Sequence, residues 1–150
     1  MSLARWVASF FGSGLVPVAP GTAGSLAALL PGLALLWVSP IALAASVVLV
    51  VAVGLWAIRA AGGGGDPGWV VIDEVAGQWI ALLALAHPSM PGALAAFAAF
   101  RLFDITKPGP VGWAERLPGA SGVMADDVLA GALAALVVWG LRWALPGLLD

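Results

Sequence analysis

Long apolar stretches alternate with short segments rich in glycine, proline and charge along the whole chain. A transmembrane helix needs about 20 mostly apolar residues, with a range of ~17 to 25. The clearest such run is Ile41 to Ala61, which has no charge before Arg59 and stops at the glycine run Gly62 to Gly65. A second run, Val128 to Leu145, contains only Arg142, near its end, where a long side chain can reach the interface. Both runs predict membrane-spanning helices.

Weaker apolar segments add to this pattern, and they are Ala23 to Val38, Val75 to Ala86, and Ala93 to Ile105. Each is short for a full crossing, so some are expected to be tilted, half-inserted or buried among other helices. Residues 1–11 predict a short interfacial helix anchored by Trp6, Phe10 and Phe11, without the features of a secretory signal. We expect one all-α domain over residues 1–150, a polytopic membrane helix bundle of about four to five hydrophobic helices.

The path of the chain through these helices predicts that acidic residues gather at one membrane face. If the five apolar segments cross in turn, the loops before the first, after the second and after the fourth all lie on the same side. Seven of the eight acidic residues then lie at that side. Most basic residues also fall at or near it, and the positive-inside rule makes that face cytoplasmic; they are Arg5, Arg59, Arg101, Lys107 and Arg116.

Composition supports a lipid environment and removes several classes of function. Hydrophobic residues make up 62% and charged residues 9% of the chain, against roughly 45 to 50% and about 25% in soluble domains. No basic patch is available for nucleic acid. The absence of cysteine excludes disulfides, thiolate metal sites and cysteine nucleophiles. The single histidine, His87, argues against zinc catalysis and phosphohistidine chemistry.

A segment rich in glycine and proline, residues 11–25, precedes the first apolar run. Glycines let backbone amides approach an anion, and a helix N-terminus offers unpaired N–H groups with partial positive charge. Gly21, Thr22, Gly24 and Ser25 are therefore candidate substrate-binding residues for a phosphate. The alternative is a structural loop in which Thr22 or Ser25 caps the helix, because neither a P-loop nor a dinucleotide fingerprint is present.

Two carboxylates, Asp73 and Glu74, open the third apolar helix, and Asp66 lies in the preceding loop. Neighbouring residues on a helix point about 100° apart, so we expect at most one of the pair to face a site directly. Gly77 lies one turn below Asp73 and leaves room for another helix or a ligand. The alternative is that both acids only interact favourably with the helix N-terminus.

Arg101, Asp104 and Lys107 recur every three residues, so they line one side of the end of the fourth helix. Ionisable side chains in so apolar a segment are costly and indicate function. Arg101 and Lys107 are the candidate cations for binding phosphate. The alternative is a self-contained ladder of ion pairs at the membrane interface.

Asp126 and Asp127 begin the last helix, with Gly131 one turn beyond Asp127. Adjacent carboxylates repel unless a cation or proton intervenes, and Mg²⁺ is commonly held by one or two carboxylates together with substrate phosphate. Capping explains either aspartate alone, but not acids from several helices meeting at one face. The predicted Mg²⁺ ligands are Asp73, Glu74, Asp104, Asp126 and Asp127, and the predicted catalytic residues are Asp73, Glu74, Asp104 and Asp127.

Four blocks, taken in order, resemble the phosphatidylglycerophosphatase A family. The resemblance spans about residues 10 to 132, and its blocks are FGSG (11–14) through PGTAGS (20–25), DEVAGQWI (73–80), FRLFDITKPGP (100–110) and GVMADDVLAG (122–131). One departure is Gly119-Ala120-Ser121-Gly122, where the family often has paired glycines.

The resemblance implies Mg²⁺-dependent hydrolysis of the terminal phosphate monoester of phosphatidylglycerophosphate, giving phosphatidylglycerol and inorganic phosphate. It also implies a multi-pass protein of the bacterial cytoplasmic membrane whose site faces the cytoplasm. Attack by water and a phospho-aspartate intermediate both remain open, as do the number of metal ions and the oligomeric state.

Two other classes of function fit some of these features. A CDP-alcohol phosphotransferase also uses Mg²⁺ and intramembrane aspartates, but the long aspartate-glycine signature of that family is absent here. A small ion or proton carrier also needs intramembrane acids. Acids at several depths favour a carrier, whereas acids confined to one face favour chemistry on a lipid head group.

Overall fold

The computed structural model describes residues 1–62 and 65–149, and within them all regular structure is helical. A 3-10 helix, Ser13–Leu15, lies between the first two α-helices. The α-helices are α1 (Leu3–Ala8), α2 (Pro20–Val38), α3 (Pro40–Ala60), α4 (Ile72–Leu82), α5 (Met90–Thr106), α6 (Pro110–Ala114) and α7 (Ala120–Ala144). The predicted all-α membrane bundle is therefore confirmed. Gly63 and Gly64, in the glycine run predicted to end α3, lie outside the described residues.

Within the part of the chain that the structure describes, three helices, α2, α3 and α7, are long enough and apolar enough to cross a membrane. That number is lower than the four to five hydrophobic helices expected. Helix α4 has 11 residues and is about 16 Å long at 1.5 Å per residue, while the hydrocarbon core is about 30 Å thick. Helix α5 has 17 residues. Both shorter helices pack within the bundle, as expected for weak segments.

The helices nevertheless alternate in direction as predicted. Helices α2, α4 and α7 begin at one end of the bundle, where α5 also finishes. We call this the active end. It carries Asp73, Arg101 and Asp127. At the opposite end, Arg142 of α7 donates a hydrogen bond to the carbonyl of Ala84, just after α4, at 2.5 Å. The Ser89 hydroxyl, at the start of α5, donates to the carbonyl of Leu149.

Serine and proline set the helix starts at the opposite end. The Ser39 hydroxyl accepts a hydrogen bond from the backbone N–H of Ala42 at 2.9 Å, and Pro40 occupies the first turn of α3. Ser89 caps α5 in the same way through Gly92 at 3.0 Å. A serine oxygen accepts a hydrogen bond from a first-turn N–H. Proline is tolerated in the first turn because the backbone N–H that it lacks would have no helical partner there. Helices α3 and α5 therefore have well-defined first turns at this end.

Helix α4 lies at the centre and packs against α2, α3, α5 and α7. Its closest approach is to α7, where a β-carbon added at Gly131 would lie 2.8 Å from the Cα of Gly77. Only glycine permits such backbone contact. Because Gly77 is one turn from Asp73 and Gly131 one turn from Asp127, this contact brings the two aspartates together.

The long helices expose apolar side chains, while three carboxylates of the active end are buried. Only 28% of the most apolar window of α2 and 33% of that of α3 are buried within the protein. Large side chains such as Trp37, Ile41 and Val48 are exposed on these helices, whereas Asp73, Asp126 and Asp127 are buried. Such a surface fits lipid, which supports the prediction of a membrane protein.

Three helices begin earlier than predicted. Helix α2 begins at Pro20 rather than Ala23, α5 at Met90 rather than Ala93, and α7 at Ala120 rather than at the Asp126-Asp127 pair. The polar and small residues at these starts hid helical turns from a search for apolar runs. The helix predicted over residues 1–11 is shorter in the structure: α1 covers Leu3–Ala8, with Leu3 and Trp6 exposed, and Phe10 and Phe11 lie beyond it with positive φ.

Candidate metal and phosphate site

Three carboxylates from two helices converge at the active end. Asp73 and Glu74 lie in the first turn of α4, and Asp127 lies in the second turn of α7. One oxygen from each lies within 4.8 Å of the other two. The expectation that at most one of Asp73 and Glu74 faces the site is wrong, because both belong to this carboxylate group. The longer glutamate side chain compensates for the angle between the two residues.

The carboxylate group has the chemistry of a divalent cation site. Asp73 Oδ1 and Glu74 Oε2 are buried and have no hydrogen-bond partner among the described residues. Burial raises the pKa of Asp73, which lies outside the three long helices, to about 7, and the charges of Asp66 and Asp126 add to this rise. Hard cations such as Mg²⁺ prefer carboxylate oxygens and would offset this repulsion. The residues therefore fit the predicted metal.

Arg101 connects the carboxylate group to α5 and α2. Its guanidinium forms an ion pair with Asp104 on its own helix and lies 3.9 Å from Glu74. It also donates to the Ser25 hydroxyl at 3.4 Å. The Nε of Arg101 has no hydrogen-bond partner among the described residues. Asp104 is thus held against Arg101, at the same end of the bundle as Asp127.

Lys107 binds a different acid from the one that Arg101 binds. Its ammonium lies 2.6 Å from Asp126 and 3.2 Å from Glu115. Burial opposes the charge on Lys107, but these two carboxylates outweigh burial, so its pKa lies above the usual range. Asp126 also accepts a hydrogen bond from the backbone N–H of Asp127 at 3.0 Å. Asp126 and Asp104 both lie beside the carboxylate group without belonging to it.

The predicted anion loop is the beginning of α2. Gly21 and Thr22 lie in its first turn, and Gly24 and Ser25 follow directly. Neither Thr22 nor Ser25 caps the helix, whose N-cap is Ala19 without a side-chain hydrogen bond. Ser25 instead donates to the carbonyl of Gly21 at 2.8 Å.

Gly21 provides space beside the charged residues. A β-carbon at Gly21 would collide with Glu74 Oε1 and come within 3.2 and 3.3 Å of the two terminal nitrogens of Arg101. Gly24 makes a comparable contact with Val71, just before α4, where an added β-carbon would lie 2.6 Å from Cβ. The start of α2 therefore approaches the site with its backbone, and phosphate binding by this segment stays a prediction.

Comparison with known proteins identifies the family. The family profile described as phosphatidylglycerophosphatase A matches residues 6–142. The chain belongs to the phosphatidylglycerophosphatase A family. The predicted resemblance is confirmed, and so is the predicted enzyme class, a phosphatase.

Bacterial relatives of this phosphatidylglycerophosphatase A family member cover almost its whole length. The Escherichia coli K12 phosphatidylglycerophosphatase A is 38% identical, over 90% of this chain and 82% of its own. The Haemophilus influenzae protein of that name is 41% identical, over 89% and 85%. A Bacteroides thetaiotaomicron protein, provisionally named a phosphatidylinositol-3-phosphatase, is 45% identical, over 90% and 91%. No solved structure matches the chain.

The structure also explains the departure from the family's paired glycines. Gly119 has φ of +63°, which favours glycine, and a β-carbon at Gly122 would collide with the carbonyl of Leu117. Ala120 and Ser121 lie between them as ordinary helical residues of α7. The two positions that require glycine for conformation or space are therefore glycine in this chain.

Two residues near the site were missed by sequence reasoning. Glu115, which pairs with Lys107, lies just after the short helix α6 and carries no distinguishing pattern. Gln78 is completely buried on α4, one turn after Glu74. A polar amide in an otherwise apolar stretch of helix was a signal that could have identified Gln78.

Proposed function

We propose that this chain hydrolyses the terminal phosphate monoester of phosphatidylglycerophosphate in a Mg²⁺-dependent reaction. The water oxygen joins phosphorus, and the bond from phosphorus to the head-group glycerol oxygen breaks. One water proton ends on that glycerol oxygen. The products are phosphatidylglycerol and inorganic phosphate.

One observation carries this proposal: Asp73, Glu74 and Asp127 form a buried carboxylate group beside the guanidinium of Arg101. In the proposal the three carboxylates hold Mg²⁺, which supplies positive charge that polarises the phosphoryl oxygens. Arg101 donates N–H groups to the phosphate. A carboxylate of the group accepts a proton during attack.

Asp104 and Asp126 have supporting roles in this proposal. Asp104 orients Arg101, and Asp126 orients Lys107 toward the outer part of the phosphate. The first turn of α2 supports the phosphate through backbone N–H groups and its partial positive charge, with Thr22 and Ser25 alongside. The sequence predicted Asp104 and Asp126 as metal ligands, and Lys107, Thr22 and Ser25 as phosphate-binding residues. The proposal keeps all five residues in one site.

The membrane setting agrees with a lipid substrate. The described acids gather at the active end, which favours head-group chemistry over an ion or proton carrier with acids spread in depth. Basic residues near that end favour the cytoplasmic face by the positive-inside rule. The acyl chains would remain in the bilayer while the phosphate reaches the carboxylate group.

A second substrate deserves comparison because of the Bacteroides relative, whose provisional name specifies phosphatidylinositol 3-phosphate. Both lipids carry a phosphate monoester on a hydroxylated head group. The carboxylate group and Arg101 act on the phosphate and are common to both reactions. Residues around the head group would decide between them.

The experiment measures phosphate release by the purified protein from phosphatidylglycerophosphate and from phosphatidylinositol 3-phosphate, with Mg²⁺ or with chelator. We expect turnover only with Mg²⁺, and kcat/KM for phosphatidylglycerophosphate at least about tenfold higher. Asp127→Asn and Asp104→Asn should both lower turnover of the preferred lipid. Full activity in chelator, or in both variants, would contradict the proposal.

A further inference from the structure

Gln78 carries a fully buried side-chain amide. Its side chain is 0% exposed, and neither Nε2 nor Oε1 has a hydrogen-bond partner among the described residues. Buried amides in folded proteins are nearly always paired with protein, water or a bound molecule. An unpaired amide destabilises the folded state, so packing alone would favour leucine or methionine at this position.

The position of Gln78 on α4 places it below the charged residues. It follows Glu74 by four residues, so it lies on the same helix face and about 6 Å deeper. Glu74 faces Gly21 of α2 and Arg101 of α5. Gln78 is thus the next residue inward along the face that carries this side of the site.

The residues on either side of Gln78 show which helices this part of α4 faces. Gly77 packs against Phe100 of α5 and the backbone of Asp127 in α7. The indole of Trp79 donates to the carbonyl of Ala28 in α2 at 2.8 Å. Gln78 therefore lies in the sector between the helices that supply Arg101, Asp127 and the start of α2.

The chemistry of an amide indicates what it binds. A glutamine offers both a donor and an acceptor. A metal ion uses only the acceptor, and a phosphate oxygen without a proton uses only the donor. A hydroxyl group or a water molecule uses both. Two sources of such a group are present in the proposed reaction: the attacking water and the central hydroxyl of the head-group glycerol.

We propose that Gln78 is a substrate-site residue whose amide binds an O–H group at the reaction centre. This inference rests on the proposed phosphatase function and adds a residue to that site. Arg101 and the carboxylates recognise charge, whereas Gln78 recognises a neutral hydroxyl. If the bound group is the head-group hydroxyl, Gln78 also contributes to selection among lipids.

The test replaces the amide by an apolar side chain of similar size, Gln78→Met. We expect kcat/KM for phosphatidylglycerophosphate to fall by at least about tenfold, while the unfolding temperature in detergent stays equal or rises. A merely structural amide would give the higher stability without the loss of activity. Leu82→Met is the matched control, since Leu82 is completely buried one turn further along the same face, and its activity should stay within about twofold.

A second lipid, with propane-1,3-diol phosphate as head group and therefore no central hydroxyl, separates the two sources. If Gln78 binds the head-group hydroxyl, the wild type prefers the natural lipid and Gln78→Met removes this preference. If Gln78 binds water, kcat falls equally for both lipids. Wild-type kcat and KM in Gln78→Met on both lipids would overturn the proposal.

Two further outcomes remain interpretable. If Gln78→Met does not fold, Gln78→Leu also removes the amide and should lower kcat/KM in the same way; unchanged kinetics would overturn the proposal. A wild type inactive on every lipid would overturn the proposed function and this inference together. An active wild type with an unaffected Gln78 variant would overturn only the role of Gln78.

Discussion

Asp126 and Asp127 are adjacent in sequence but contact different groups. Asp127 belongs to the carboxylate group with Asp73 and Glu74, while Asp126 pairs with Lys107, 19 residues earlier in the chain. The sequence predicted that acids from several helices meet, because helix direction determines which loops share a face. It could not divide the acids into those of the carboxylate group and those beside a cation, because that division depends on side-chain rotamers and long-range contacts.

The division of roles predicts unequal effects of two isosteric substitutions. Asp127→Asn removes a charge from the carboxylate group, so we expect kcat to fall at least about 100-fold, the scale of losing one electrostatic group at a reacting centre. Asp126→Asn keeps that group intact and weakens only the hold on Lys107. Its kcat/KM should fall by about tenfold or less.

Steady-state phosphate release from phosphatidylglycerophosphate measures both values, with circular dichroism as the check on folding. Equal losses of kcat in the two variants would contradict the assignment of Asp126 to Lys107.

Helix starts supply much of the candidate site, and they were the elements least accessible to sequence reasoning. The first turns of α2 and α7 contain glycine, serine and proline, which are also typical of loops. In the structure, Gly24 of α2 packs against Val71, and Gly122 of α7 lies against the carbonyl of Leu117. The central apolar part of α3 could be located to within a residue, because hydrophobicity alone defines it.

The close packing of α2 against the charged residues predicts that Gly21→Ala impairs the enzyme. The added methyl group would collide with Glu74 and crowd both terminal nitrogens of Arg101. We expect kcat/KM to fall at least about tenfold, because displacing catalytic groups by a fraction of an ångström is costly. Phosphate release and thermal unfolding in detergent measure the effect.

Gly140→Ala is the control for helix propensity, because a β-carbon at Gly140 has no neighbour within 4 Å. It should retain activity and gain up to about 1 kcal/mol in stability from the better helix former. If Gly21→Ala behaved like Gly140→Ala, the tight contact between α2 and the site would be wrong.

At the scale of the whole molecule, the bundle is a membrane protein with charge gathered at one end. Composition and apolar runs predicted this class correctly, since 62% hydrophobic residues cannot be covered in water. The number of spanning helices was overestimated, because α4 and α5 are apolar through burial among neighbours as well as through contact with lipid. Apolar character alone does not separate the two environments.

The proposed orientation can be tested with single cysteines, because the natural sequence has none. Ser121 is exposed at the active end and Ala86 is exposed at the opposite end. In spheroplasts, a membrane-impermeant maleimide should label Ala86→Cys directly and Ser121→Cys only after permeabilisation. The reverse pattern would place the site on the outer face.

The central claim is that carboxylates from α4 and α7 share one divalent cation. Binding of Mn²⁺, as a paramagnetic substitute for Mg²⁺, can be measured by electron paramagnetic resonance without any lipid or turnover. Asp73→Asn and Asp127→Asn should each weaken binding at least about tenfold, whereas Asp66→Asn, in the exposed loop before α4, should bind like the wild type. Wild-type Mn²⁺ affinity in both Asp73→Asn and Asp127→Asn would contradict the account.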